Sequence, residues 1–179
     1  MNTKLSLDAL NRPNVEEFEK LPKQPVHVIL DNVRSAQNVG SIFRTMDAFR
    51  CARLHLCGIT PAPPHREINK TALGATASVP HSTHAETIGA IKQLRSRGLT
   101  IYAVEQTENS IDLAKFERAE GVEIALIFGN EVEGVDQSVI DACDGSLEIS
   151  QFGTKHSLNI AVCAGIVLWQ IAGIKLSEK

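Results

Sequence analysis

The amino-acid sequence predicts an α/β fold with a mostly parallel sheet flanked by helices, and three observations carry that expectation. Short apolar runs rich in β-branched residues recur at 26–30, 53–57, 99–104 and 124–128. The segments between them place apolar residues three and four apart, the period of a helix buried along one stripe. The runs themselves are apolar at nearly every position, as strands covered on both faces are, and a sheet covered by alternating helices is a parallel one.

Each element has a local reason. Asn14-Val-Glu-Glu17 is a capping box, with Val15, Phe18 and Leu21 following at helical spacing before Pro22 and Pro25 close the segment. Residues 1–24 therefore read as a helical extension ahead of a domain over 25–179. The charges of the extension cancel, so it reads as docking on the body or on a second copy rather than gripping phosphate. Residues 26–30, between Pro25 and Asp31, form the first strand. Val39, Ile42, Phe43 and Met46 then fall at i, i+3, i+4 and i+7, which defines the buried face of a helix. On the residues alone, Asn38 is an ordinary N-cap of that helix and Arg44, outside the apolar stripe, an ordinary surface arginine.

A second strand over 53–57 leads into a stiff proline-rich loop up to Arg66. Gly74 reads as a tight helix-to-strand junction, and Thr83-His-Ala-Glu86 as a capping box opening a helix that stops at Gly98. His81 and His84 form an H-x-x-H without any carboxylate or cysteine cluster, so they read as exposed loop histidines and no metal is expected. Residues 124–128 are the most apolar run, hence the central strand, and a short helix over 136–143 follows. Residues 147–149 lead through a polar turn to Ser157, a natural N-cap for the apolar run ending near Trp169.

Composition narrows the function classes. A chain of 179 residues, 43% hydrophobic, holds enough core for one domain. Its four cysteines, Cys51, Cys57, Cys143 and Cys163, form no C-x-x-C pair and read as reduced thiols. The N-terminus lacks an apolar signal core and no long apolar stretch could span a membrane, so a cytoplasmic protein with no membrane partner is expected. A net charge of −3 excludes a generally basic nucleic-acid binder. Arg34, Arg44, Arg50, Arg53, Arg66 and Lys70 nevertheless cluster in sequence, either as a phosphate-binding patch or as scattered solvated charges.

Three stretches stand out: Asn38-Val-Gly-Ser-Ile-Phe-Arg44, Ile127-Phe-Gly129-Asn130-Glu131-Val-Glu-Gly134, and Ile149-Ser-Gln-Phe-Gly153-Thr-Lys-His-Ser157-Leu158-Asn159. The glycine turn after residues 124–128 is no dinucleotide fingerprint, because Glu131 stands where G-x-G-x-x-G needs glycine, and its carboxylate would repel a pyrophosphate. It would tolerate a cationic ligand. In this order, over roughly residues 25–173, the stretches resemble the motifs of the SpoU (TrmH-like) branch of the SPOUT RNA methyltransferases. Lys70-Thr-Ala-Leu-Gly-Ala75 resembles a further segment of the same family.

The resemblance implies methyl transfer from S-adenosylmethionine to a ribose 2′-hydroxyl in structured RNA, a C-terminal deep trefoil knot, and a homodimer pairing through the first and last helices. It places Arg44, Asn38, Glu131, Ser157 and Asn159 in the reaction centre. Thr107, Gly129, Ile149 and Leu158, with Ser157, would contact the methyl donor. Ser150 and Ala161 depart from the family's usual proline and serine. No large extension flanks the domain, which favours transfer RNA, with a D-loop guanosine as target, over ribosomal RNA. The alternative is a catalytically weak RNA-binding or RNA-chaperone protein of the same fold. The intact reaction-centre residues argue against it, since binding alone has no chemical need for all of them.

Overall fold

The computed structural model describes residues 1–6 and 8–173; residues 174–179 of the expected domain lie outside the described residues. Strands β1 (Gln24–Asp31), β2 (Cys51–Cys57), β3 (His81–His84), β4 (Thr100–Val104), β5 (Ile111–Asp112), β6 (Ile124–Phe128) and β7 (Gly145–Glu148) form one sheet. Its order is β3-β2-β1-β6-β4-β7-β5, and every pair is parallel. β6 lies at the centre with all its residues buried, as its uninterrupted apolar run requires.

The helices are α1 (Val15–Lys20), α2 (Ala36–Ala48), α3 (Arg66–Ala72), α4 (Ala75–Ser78), α5 (Thr87–Ser96), α6 (Gln137–Asp141) and α7 (Ile160–Leu168), the last continuing as a π-helical turn over Trp169–Gly173. Side chains alternate across the strands and divide the core into two layers. Val26, Val28, Leu30 and Leu126 pack with α2 and α7. Ile29, Ala125 and Ile127 pack with Ala90, Ile91 and Leu94 of α5 and Val139 of α6. The predicted stripe of α2, Val39, Ile42, Phe43 and Met46, is wholly buried, and each such side chain contributes roughly 1.5–3 kcal/mol. Gly40, inside the first motif, is a packing residue, since a Cβ there would strike Thr71 Oγ1 and Ile68 O on α3.

The capping box of α1 is formed as predicted, with Glu17 N donating to Asn14 Oδ1 (2.9 Å) and Asn14 N to Glu17 Oε2 (3.0 Å). Three other caps differ from expectation. Ser35, not Asn38, caps α2, with Asn38 N donating to Ser35 Oγ (3.2 Å). Asn159, not Ser157, caps α7, accepting from Ala161 N (2.9 Å). The box at Thr83–Glu86 does not form, because Thr83 is paired in β3 and Thr87 Oγ1 donates instead to Asp31 Oδ1 (2.5 Å). Gly74, φ +93°, joins the short helices α3 and α4 rather than a helix and a strand. His81 and His84 are not loop residues but the ends of β3, both partly buried.

Candidate active site

Loops leaving the C-terminal ends of β4, β6 and β7 enclose a cavity of about 660 Å³, within the size range of small-molecule sites. In parallel sheets this end of the strands is where ligands bind. The walls come from residues 104–106, 128–135, 147–149, 151 and 156–160, with Cys163 on α7 behind them.

The loop after β6 holds its shape through its own polar groups. Asn130 N and Gly134 N each donate to the other's carbonyl at 2.9 Å. Asn130 Oδ1 accepts from Val132 N (2.8 Å) and Glu133 N (3.2 Å), while its Nδ2 donates to Asn32 O (2.8 Å). Gly134 sits at φ +72°, and a Cβ on Gly129 would strike the backbone of Gly134 and Val135. Both glycines are thus demanded by a loop that closes on itself.

That closure aims Glu131 at the start of α2. Glu131 Oε2 accepts from Arg34 N (2.9 Å), and Oε1 from Ser35 N and Asn38 Nδ2 (both 3.0 Å). Asn159 Nδ2 in turn donates to Asn38 Oδ1 (3.2 Å). Desolvation pushes the Glu131 carboxyl up, but the hydrogen bonds from Arg34, Asn38 and Ser35 outweigh it and hold the group below the usual glutamate range. An anion at a helix N-terminus is also favoured by the helix dipole. One polar chain therefore joins the loop after β6, the first turn of α2 and the cap of α7, so the three sequence stretches meet in space. Asn38 does not cap α2 because its amide is committed to this chain.

Four carboxylates, Glu105, Glu131, Glu133 and Glu148, line the cavity, and no lysine or arginine does among the described residues. Such a lining disfavours a pyrophosphate and suits a ligand with positive charge. No group of His, Cys, Asp or Glu among the described residues could hold a metal ion. No described helix is long and apolar enough to cross a membrane.

The model of the SpoU rRNA methylase family matches residues 25–169. The chain belongs to that family. It is 29% identical over 159 residues to the tRNA (guanosine(18)-2′-O)-methyltransferase of Thermus thermophilus, covering 89% of this chain and 80% of the relative. It is likewise 29% identical over 159 residues to the 23S rRNA (guanosine-2′-O-)-methyltransferase RlmB of Neisseria meningitidis, covering 88% of this chain and 62% of the relative. The crystal structure of an AdoMet-bound rRNA methyltransferase from Sinorhizobium meliloti superposes with a TM-score of 0.76 at 27% identity, covering 86% of this chain and 58% of that one.

In this SpoU chain, Gly129, Glu131, Ile149, Ser157, Leu158 and Asn159 all line the cavity, with Asn38 bonded to two of them. Thr107 does not line it: its Oγ1 pairs with Ser146 Oγ at 2.6 Å. Its neighbours Glu105 and Gln106 take that wall instead. Glu105 accepts from Gln106 N (2.8 Å) and Val135 N (3.1 Å), and Gln106 Nε2 donates to His156 O (2.8 Å). These two tie the three loops together, and the sequence signal for them was their place directly after β4. Asn130, within the second motif, also lines the cavity while its side chain holds the loop closed. Ser150, in place of the family's proline, donates from Oγ to Asp112 Oδ2 (2.6 Å) and so anchors the third motif to the edge strand.

Arg44 lies elsewhere. It is exposed on α2 in a second, shallow pocket with Ser41, Thr45, Ala48, Phe49 and Thr71, and forms no hydrogen bond or ion pair among the described residues. The other basic residues do not all behave as free phosphate ligands. Arg53 Nη1 donates to His81 O (3.2 Å), and Lys70 Nζ sits 3.9 Å from Glu67 Oε2.

Proposed function

We propose that this protein transfers a methyl group from S-adenosylmethionine to a ribose 2′-hydroxyl of structured RNA, with transfer RNA, and a D-loop guanosine in particular, ahead of ribosomal RNA. The observation that carries the reading is the meeting of three separate motifs at one carboxylate-lined cavity. The donor supplies an electrophilic methyl on a sulfonium, and a cavity lined by four carboxylates and, among the described residues, no lysine or arginine fits that charge. Gly129, Ile149, Leu158 and Ser157 would hold it, largely through backbone groups at the adenine edge.

The chain's own residues then have separable tasks. A ribose hydroxyl is a poor nucleophile until its proton is lost or its incipient alkoxide is stabilised. Arg44, through its planar guanidinium, grips the adjoining phosphate and stabilises developing negative charge, while a phosphate oxygen or water takes the proton. Asn38 and Glu131 fix the first turn of the helix that carries Arg44. Ser157 and Asn159 hold the facing side of the cavity mouth.

The assembly belongs to the same proposal. Val162, Ile166 and Trp169 are 53%, 40% and 50% exposed and follow one face of α7, whose other face is in the core. A second copy covering that stripe would give a homodimer, and it would place Arg44 at the interface, because Phe49 touches Trp169 (ring centroids 5.9 Å) and lines the Arg44 pocket. We include in the proposal the trefoil knot, threaded by the segment through β7 and α7, and the division into a 1–24 extension and a 25–179 domain. Mapping 2′-O-methyl positions in RNA from cells with and without the protein tests the reading: loss of one defined ribose methylation is expected, and an unchanged map would overturn it.

A further inference from the structure

We infer that Phe152 is the stacking platform for the base of the nucleotide being methylated, an inference that rests on the function proposed above. Phe152 is 97% exposed, whereas the other phenylalanines are buried or half-buried. It enters no ring contact and neither core cluster among the described residues. A single exposed apolar side chain is ordinary on a protein surface, so what singles out this ring is where it sits.

That position is the cavity mouth. Gln151 on one side and His156, Ser157, Leu158 and Asn159 on the other all line the cavity, and Phe152 directly follows Gln151 in the loop that bridges them. The loop is pinned at one end by Ser150 on Asp112 and at the other by Gln106 on the His156 carbonyl, so the ring is carried on a held loop. A ribose whose 2′-hydroxyl enters the cavity keeps its base on the neighbouring carbon and must therefore lay it against the rim. Lys155, exposed three residues along, offers a cation to the adjacent phosphate. An unstacked base on an aromatic face, with a cation nearby, is the usual way a protein holds a single nucleotide of RNA. The acidic lining leaves the cavity itself to the cationic donor and the rim to the RNA.

The test compares Phe152→Ala, Phe152→Leu and Phe152→Tyr in the full chain. Tritiated S-adenosylmethionine and bulk RNA from cells lacking the protein, separated into transfer and ribosomal fractions, serve as substrates. Stacking adds equally to ground and transition state, so Ala should raise the KM for RNA by roughly ten- to a hundredfold with kcat nearly kept. Tyr should restore KM, Leu should not, and donor affinity by calorimetry should stay unchanged in all three. Three results would overturn the assignment: an unchanged KM in Ala, equal rescue by Leu and Tyr, or donor affinity falling in step with KM, which would make Phe152 a cover over the donor. Wild-type protein that methylates neither fraction would overturn the function itself, and this inference with it. An active wild type with an indifferent Phe152→Ala would overturn the inference alone.

Discussion

Two hydrogen-bond chains in this molecule begin at a glutamate, and they differ in what they leave free. One runs from Glu131 through Asn38 to Asn159 at the cavity, and its members come from the loop after β6, the first turn of α2 and the cap of α7. The other crosses the sheet on the face that carries α5. Glu123 Oε1 accepts from His27 Nε2 (2.8 Å), His27 Nδ1 from His55 Nε2 (2.9 Å), and His55 Nδ1 from His84 Nε2 or Ser82 Oγ (both 3.1 Å). The carboxylate can only accept, so it sets the direction of every donor along the row. His27 and His55 are 2% and 3% exposed, and none of the three histidines touches the cavity. The first chain surrounds a space for a ligand, while the second turns its polar atoms toward one another and fills the interior. Perturbed titration alone would have picked the histidines as the site, since burial drives His55 down to about 3. Geometry assigns them to the fold.

The comparison breaks most sharply at Arg44. Arg44→Ala should lower the single-turnover rate on saturating RNA by on the order of 10² to 10³, and Arg44→Lys nearly as much, because the planar fork is lost with the charge kept. Donor affinity should be nearly unchanged in both, as Arg44 does not line the donor cavity. Retention of most of the rate by Arg44→Lys would leave Arg44 only a charge to supply.

The histidine row should show the opposite pattern. His55→Leu strands the His27 Nδ1 and Ser82 hydroxyl, and should cost about 1–3 kcal/mol of stability while the rate per folded molecule stays the same. Burial holds His55 neutral in the fold, whereas the unfolded chain takes up a proton below pH 6.5. Wild-type stability should therefore fall as pH drops from about 6.5 toward 3, by up to ~1.4 kcal/mol per pH unit for each such group. Denaturant unfolding across that window should give a flatter slope for His55→Leu.

A smaller effect is expected at Gly129. Valine there collides with Gly134 and opens the loop that forms one cavity wall, so S-adenosylmethionine affinity by calorimetry should fall by about tenfold or more, roughly 1.4 kcal/mol, with the sheet intact. Unchanged binding would remove this loop from the donor site. The smallest effect concerns Glu131→Gln, which keeps one acceptor at the start of α2 but removes the charge and turns an amide NH2 toward a donor, at a cost of about 1 kcal/mol at neutral pH. Glu131 titrates below the ordinary glutamate range in the fold, so its contribution is present above that range and lost as pH falls through its lowered value. Wild type and Glu131→Gln should converge in acid, and a gap independent of pH would show that charge is not the cause.

Much of this architecture was legible because its signals are local. The run at 124–128 has no polar side and could only be central, and the α2 stripe repeats at helical spacing. The caps were less legible: Ser35 and Asn38, like Ser157 and Asn159, are both competent, and a partner distant in sequence decides which one is used. The histidine row had no local signature at all. Its members are 28 and 29 residues apart, and only the parallel register of β1, β2 and β3 brings them together. At the site, Gly129, Glu131, Ile149, Ser157, Leu158 and Asn159 meet at one cavity while Arg44 and Thr107 do not line it, and Glu105 and Gln106 did not stand out, since they act by joining loops that only the fold makes neighbours.

The most direct test of the account is where the methyl group goes. A ribose 2′-O-methyl blocks alkaline cleavage of the adjoining phosphodiester, because cleavage proceeds by attack of the free 2′-hydroxyl. Wild-type protein with tritiated S-adenosylmethionine and bulk RNA from cells lacking it should place label in an alkali-resistant dinucleotide, with label lost in Arg44→Ala and kept in His55→Leu. Label released with single nucleotides would mean transfer to a base, and absence of label in every RNA fraction would mean that the cavity serves another ligand; either result would contradict the account.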